Sequence, residues 1–151
     1  MHLGSIYLIV DDFEKSIAFY EKLLDMPLTS ENNGRFASFV FEGHCISIMN
    51  GHFDAQNPEK VERKGETAEV SGETLRDIAL APNTHKFVFN FWDENLRSEY
   101  ERVKNLNITE NISKIKYVCY TAPYYYFQLA DPDGNIIEVT GGYTPDNGEF
   151  E

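Results

Sequence analysis

Three features that are scarce in this sequence restrict what the protein can be. The unbroken apolar runs of the 151-residue chain are only a few residues long, whereas a membrane-spanning helix needs about 20 apolar residues. The N-terminus lacks the basic and then apolar layout of a signal peptide. Cys45 and Cys119 are the only cysteines, and they lack the close spacing of a metal or redox motif. We therefore expect no membrane span, reduced thiols and a cytoplasmic location.

Basic residues are also scarce, because 13 Lys and Arg stand against 25 Asp and Glu, for a formal charge of −12. Proteins that bind nucleic acids or anionic membranes use basic surfaces, so neither partner is expected. Apolar residues make up 42% of the chain and aromatic residues 14%. This composition is typical of a folded globular protein and not of a disordered chain.

The first part of the chain reads as one helix among strands. Apolar side chains at Phe13, Ile17, Tyr20 and Leu24 recur with helical spacing, and Asp11 with Glu14 resembles a capping box. Alternating and short apolar runs predict the strands. We predict a helix at 13–24 and strands at 5–10, 35–41 and 44–49.

A polar stretch from 51 to 84 interrupts the pattern. We predict a connector with a helical turn at 73–80. Connectors of this length are uncommon within a compact domain, so we expect this one to act as a lid, an interface arm or a linker between modules.

The pattern then returns, with a helix at 94–105 and strands at 86–92, 115–121, 124–129 and 136–140. Direct alignment indicates a duplication. Ile6 matches Phe87 at an offset of 81 residues, and Ser47 matches Glu138 at an offset of 91. The helices match at an offset of 83, which implies two extra residues before the second helix. Each half is therefore a βαβββ module.

Two segments carry a resemblance to a known family. Asp131–Val139 looks like the closing hairpin of the vicinal oxygen chelate superfamily, and Val10–Leu24 looks like its opening strand and helix. The superfamily includes glyoxalase I, bleomycin-resistance proteins and extradiol dioxygenases. The resemblance implies an α+β fold in which two βαβββ modules form a cup-shaped mixed sheet with helices outside. It implies one domain over 1–151, with modules at about 5–50 and 85–141, the connector at 51–84 and a tail at 142–151.

The metalloenzymes of this family hold a divalent ion with one residue on the first strand and one on the last strand of each module. The resemblance places Ser5, Ser47, Lys86 and Glu138 at these positions, and only Glu138 is a usual ligand. We therefore expect no metal cofactor and an ion pair between Lys86 and Glu138. In the alternative alignment, His85 joins Glu138 in binding one divalent metal ion.

Aromatic side chains crowd the strand before the closing hairpin. Pairing across the hairpin predicts that Tyr124, Tyr126 and Gln128 share a face with Glu138. A sheet face with these aromatic and polar side chains suits a planar or aromatic ligand that also forms hydrogen bonds. Tyr125, Phe127 and Leu129 are expected to face the helices.

Three functions remain open at this point. The first is a metal-free protein that binds a small organic molecule through Ser5, Ser47, Lys86, Tyr124, Tyr126, Gln128 and Glu138. The second is a metal-dependent lyase, isomerase or dioxygenase with an atypical site. The third is a metal-free enzyme in which Glu138 is a general base. The resemblance also implies a homodimer.

Overall fold

The computed structural model of the protein describes residues 4–61, 71–119 and 122–150. The chain forms two compact units, Met1–Pro82 and Asn83–Glu151. Each unit contains one four-stranded mixed sheet and its helices. The α+β class and the two βαβββ modules are thus confirmed, while the prediction of a single domain stays a prediction. In the described residues no helix combines the length and the apolar character of a bilayer span.

Unit one has strands β1 (Ile6–Val10), β2 (Ser30–Asn32), β3 (Phe36–Phe41) and β4 (His44–Asn50), and helices α1 (Phe13–Leu24), α2 (Phe53–Gln56) and α3 (Leu75–Leu80). The strand order is β1-β4-β3-β2, with β1 parallel to β4 and the other pairs antiparallel. The predicted bounds of α1 are correct. The sequence pattern missed β2, because all three of its residues are exposed and polar.

The residue that caps helix α1 is Asp12, one position after the predicted Asp11. The carboxylate of Asp12, rather than that of Asp11, accepts a hydrogen bond from the amide of Lys15 at 3.0 Å. A side chain that caps the free amides of the first turn fixes where the helix starts. The apolar face of α1 then packs on the sheet, where Tyr20 and Phe39 are fully buried.

The described parts of the connector up to Pro82 belong to unit one. They contain α2, a 3₁₀ turn at Pro58–Lys60 and α3, so the helical turn predicted at 73–80 is confirmed. Thr74 starts α3 with a capping box, in which Thr74 and Asp77 each accept a hydrogen bond from the other residue's amide. Connector positions 62–70 lie outside the described residues.

Unit two has strands β5 (Val88–Asp93), β6 (Lys116–Cys119), β7 (Pro123–Ala130) and β8 (Ile136–Gly141), and helix α4 (Leu96–Asn105). The order β5-β8-β7-β6 repeats that of unit one, and β5 is parallel to β8. Positions 120 and 121 of the strand predicted at 115–121 lie outside the described residues.

The closing hairpin is held by one buried side chain. The Asp131 carboxylate accepts hydrogen bonds from the amides of Asp133 at 2.9 Å and Asn135 at 2.8 Å. Gly134 has a φ of 79°, which glycine adopts without strain. These bonds fix the turn between β7 and β8, and with it the pairing of the two strands.

The strand pairing corrects the alignment of the repeat. Ile6 pairs with Ile46 and Phe89 pairs with Ile137, so Ile6 corresponds to Phe89 at an offset of 83 residues. This equals the offset of the helices, and no residues are inserted before α4. The offset of 81 matches the cap Asp12 with Asp93, whereas the residue that caps α4 is Asn95, whose side chain accepts a hydrogen bond from the amide of Ser98.

Candidate functional site

The two faces of the sheet in unit two differ in exposure. One face is buried on the side of α4, where the Phe127 ring contacts the Tyr100 ring at 5.2 Å. We call the opposite side the open face. It carries exposed apolar and aromatic side chains, with Trp92 exposed to 67%. Its exposed large side chains are Val88, Trp92, Val118 and Tyr124.

Glu138 lies in the middle of the open face. It pairs with Asn90 of β5 on one side and with Gln128 of β7 on the other. Its Oε1 accepts hydrogen bonds from Asn90 Nδ2 at 2.9 Å and from the Tyr124 hydroxyl at 2.9 Å. Its Oε2 accepts from Gln128 Nε2 at 3.1 Å. The carboxylate is therefore fixed in position by donors on both of the neighbouring strands.

The surrounding side chains extend this network. Asn90 Nδ2 also lies 3.2 Å from the Tyr124 hydroxyl oxygen, and the rings of Tyr124 and Tyr126 lie 5.6 Å apart. Lys116 of β6 donates to Gln128 Oε1 at 3.3 Å, and its ammonium lies 5.7 Å from the centre of the Tyr126 ring. Charge, amide groups and aromatic rings thus occupy one continuous surface.

The hairpin pairing predicted from the sequence is confirmed. Tyr124 and Gln128 both bond to Glu138, and Tyr126 shares their face. Phe127 and Leu129 are buried on the other face, as predicted. Asn90 was not predicted, although the helix offset of 83 residues pointed to it. Trp92 and Lys116 were not predicted either, although the alternation of β5 and β6 places them on the open face.

The predicted ion pair between Lys86 and Glu138 is wrong. Strand β5 begins at Val88, so Lys86 precedes the sheet and is exposed. Asn90 occupies the place beside Glu138 that the alignment gave to Lys86. The error amounts to two residues, which leaves every side chain on its predicted face but moves it along the strand. His85, the alternative ligand, is exposed and has a φ of 56°.

The equivalent face of unit one is closed at its centre, although Tyr7 on this face is itself 51% exposed. Ser47, the counterpart of Glu138, is fully buried, and its hydroxyl lies 2.9 Å from that of Ser38. The rings of Tyr7 on β1 and Phe36 on β3 meet at 6.0 Å across the intervening strand β4. Ser5 is exposed and precedes β1. Because Ser47 is fully buried, a ligand can contact it only if the side chains around it move.

The residues at the family's metal positions do not fit a metal ion. By the family resemblance, the metal ligand on the first strand lies seven residues before the helix cap. This position is Ser5 in unit one and, with Asn95 as the cap, Val88 in unit two. Val88 has no ligand atom, the Ser47 hydroxyl is buried, and both Glu138 oxygens accept hydrogen bonds from side chains. Among the described residues, no group of three or more His, Cys, Asp or Glu is arranged to hold a metal.

These features define an α+β protein with a duplicated βαβββ module and an open, polar and aromatic sheet face. A family model described as the Glyoxalase/Bleomycin resistance protein/Dioxygenase superfamily matches residues 2–139. The chain therefore belongs to this superfamily, as the sequence motifs indicated. A search of curated proteins finds no match.

Solved structures share the fold at low sequence identity. A lactoylglutathione lyase from Agrobacterium tumefaciens is 18% identical, with a TM-score of 0.57 and 93% of each chain covered. The fosfomycin resistance protein FosX from Mesorhizobium loti is 15% identical, with a TM-score of 0.55 and coverage of 94% of this chain and 92% of that one. A bleomycin-binding protein in complex with bleomycin is 15% identical, with a TM-score of 0.58 and coverage of 95% and 100%.

Proposed function

We propose that the protein binds a small organic molecule with a planar or aromatic part on the open face of unit two, without a metal ion. One observation carries the proposal: a carboxylate fixed by three side-chain donors lies in the middle of an exposed aromatic surface. Exposed apolar side chains grouped on one face of a protein commonly mark a binding surface.

The open face offers two kinds of contact. Trp92 and Tyr124 expose large rigid side chains that stack on planar groups at little cost in conformational entropy. Asn90, Gln128 and Glu138 supply the polar atoms that orient a ligand. Because these groups are held by one another, little ordering is needed when a ligand binds.

The comparisons support a binding role. One of the similar solved structures is named a bleomycin-binding protein and holds bleomycin, so this fold accommodates an organic molecule. Sequestration without chemistry requires no metal, and the four positions Ser5, Ser47, Val88 and Glu138 offer a metal only one usual ligand. Ser5 and Lys86 stay predicted ligand contacts outside this surface.

The metal-free character is tested by elemental analysis of protein purified without chelator. We expect far less than one Ni, Zn, Fe or Mn per chain, because the donor set is incomplete. About one metal ion per chain that disappears in Glu138→Ala would support a metal-dependent enzyme instead. A metal content unchanged in Glu138→Ala would place the ion elsewhere and leave the proposed surface metal-free.

Binding is tested with three planar probes of different charge: 1-methylquinolinium, quinoline and 2-naphthoate. Trp92 is the only tryptophan of the chain, so its indole N–H gives one assignable signal in a ¹⁵N NMR spectrum. We expect at least one probe to shift this signal and the side-chain amide signals of Asn90 and Gln128 saturably. If none of the three probes does so, the proposed surface does not bind planar molecules.

The homodimer implied by the family stays a proposal. Light scattering at micromolar concentration is expected to give twice the chain mass, and a stable monomer would contradict it.

A further inference from the structure

We infer that the ligand of the open face is an organic cation whose positive charge lies over Glu138 and whose planar part stacks on Trp92 and Tyr124. This inference rests on the proposed function, and it names the chemical class of the ligand. The charges around Glu138 and the types of side chain that surround it favour this class of ligand.

The carboxylate of Glu138 has no cationic partner. Its three donors, Asn90, Tyr124 and Gln128, are all neutral. In the described part of the chain no Lys, Arg or His nitrogen lies within ion-pair distance of it. Lys116 approaches it only through Gln128, which accepts from the ammonium and donates to the carboxylate. The negative charge of Glu138 is thus hydrogen-bonded but not neutralised.

Two other carboxylates in the described residues are paired with a guanidinium. Asp54 lies 2.7 Å from Arg35 Nε, and Glu99 lies 2.6 Å from Arg102. Both acidic side chains are joined to a guanidinium within their own unit. Among the residues that the structure describes, Glu138 has no such partner, and its network is exposed, so a cation from outside the chain can reach it.

The rings beside Glu138 favour an organic cation over other ligands. The face of an aromatic ring carries partial negative charge and attracts a cation, and tryptophan does so most strongly. The combination of a carboxylate with exposed Trp92 and Tyr124 therefore suits a planar or alkylated ammonium or a charged heterocycle. The net charge of −12 also raises the local concentration of cations.

An anionic ligand fits the surface poorly. Recognition of a carboxylate or phosphate relies on Arg or Lys with free donors. Lys116 is the cation of this network, and it is already engaged by Gln128 and the Tyr126 ring. An anion in front of Glu138 also meets a like charge, which disfavours binding.

The charge of the three planar probes separates this inference from the proposed function. Titration calorimetry at mildly alkaline pH, where quinoline is neutral, gives a dissociation constant for each probe. We expect 1-methylquinolinium to bind about tenfold more tightly than quinoline, and 2-naphthoate to bind more weakly than both. The affinity for 1-methylquinolinium should fall with added salt, because salt screens an exposed charge pair.

Glu138→Gln is the matched variant, since it removes the charge and keeps the size of the side chain. We expect it to weaken 1-methylquinolinium about tenfold and to leave quinoline unchanged. Glu101→Gln is the control, because Glu101 is exposed on α4, which packs on the other face of the sheet. Glu138→Ala tests the same point if the glutamine variant folds poorly.

The outcomes are distinct. A preference for the cation that disappears in Glu138→Gln and persists in Glu101→Gln supports the inference. If quinoline or 2-naphthoate binds the open face as tightly as the cation, or if Glu138→Gln leaves the preference intact, the surface binds planar molecules but the inference is wrong. If no probe binds, both the inference and the proposed function are wrong.

Discussion

The two units carry the same module but use the free face of the sheet in opposite ways. In unit one, Ser47 is fully buried, and the Tyr7 ring on β1 contacts the Phe36 ring on β3 across strand β4. In unit two, the matching positions are Glu138 and Asn90, which form an exposed hydrogen-bonded pair. The same backbone pairing thus supports a buried central residue in one copy and an exposed polar network in the other. A duplicated module can therefore change its function through the side chains of one sheet face.

Helix α3 adds to the closure of unit one. Gly51 lies against it so closely that a Cβ at this position would overlap the side chain of Ala79. The same Cβ would contact Ile9 at 3.2 Å. Trp92 is the counterpart of Ile9 at the offset of 83 residues, and it is exposed to 67%. The connector therefore supplies packing beside β1 that Trp92 on β5 lacks.

The largest effect on stability is expected when Ser47 and Glu138 are each replaced by the residue of the other unit. Ser47→Glu places a carboxylate in a fully buried site without a cation, which costs about 3–5 kcal/mol. Glu138→Ser removes an exposed network and costs about 1 kcal/mol or less. Chemical denaturation of both variants measures the two free energies of unfolding. Equal losses in the two variants would show that the faces do not differ in packing as described.

A smaller loss of stability is expected when the close contact between Gly51 and α3 is disturbed. Gly51→Ala forces a methyl group onto Ala79 and is expected to lower the free energy of unfolding by about 1–3 kcal/mol. Gly4→Ala is the matched control, because a Cβ on Gly4 meets no atom within 4 Å. Thermal unfolding followed by circular dichroism compares the two. A Gly51→Ala variant as stable as Gly4→Ala would contradict the packing of α3 on unit one.

Much of this arrangement was predictable from the sequence, because it depends on periodicity and turn chemistry. The helical spacing of apolar residues predicted α1, and the Asp131–Asn135 turn fixed the partners of Glu138 on β7. The faces of β5 were also predictable, since the pairing error was an even number of residues.

Other features of the site could not be predicted from local sequence. One reason is that two nearby residues can offer equally good helix caps. Asp93 and Asn95 are both suitable helix caps, and their choice decides whether Lys86 or Asn90 lies beside Glu138. Burial of Ser47 depends on contacts between strands, such as that of its hydroxyl with Ser38, which the local sequence around Ser47 does not indicate. Nothing in the polar connector indicated that α3 packs beside Gly51.

Trp92 gives a test in which binding changes and stability does not. Because the side chain is largely exposed, Trp92→Ala should change the free energy of unfolding by about 0.5 kcal/mol or less. Loss of the stacking surface should weaken 1-methylquinolinium about tenfold. Calorimetric titration and urea unfolding of the same variant measure both quantities. Unchanged affinity would remove Trp92 from the binding surface.

The smallest effect concerns the C-terminal tail, which packs on the other side of unit two. The Tyr143 ring contacts that of Tyr125 at 5.1 Å. Burial, together with the hydrogen bond to Glu149, raises the pKa of Tyr143 from 10.0 to about 12. The unfolded chain loses this proton first, so stability should be complete below pH 10 and decline as pH rises toward about 12. Tyr143→Phe should reduce this decline in unfolding curves recorded across the range. An identical decline in the variant would assign it to other groups.

The most direct test of the account is to locate a bound probe by intermolecular nuclear Overhauser effects in the complex with 1-methylquinolinium. If unit two carries the binding surface, the aromatic protons of the probe show effects to the indole of Trp92 and the ring of Tyr124. Effects confined to Tyr7 and Phe36 of unit one would contradict the account, because they would show that the face described here as closed is the one that opens to a ligand.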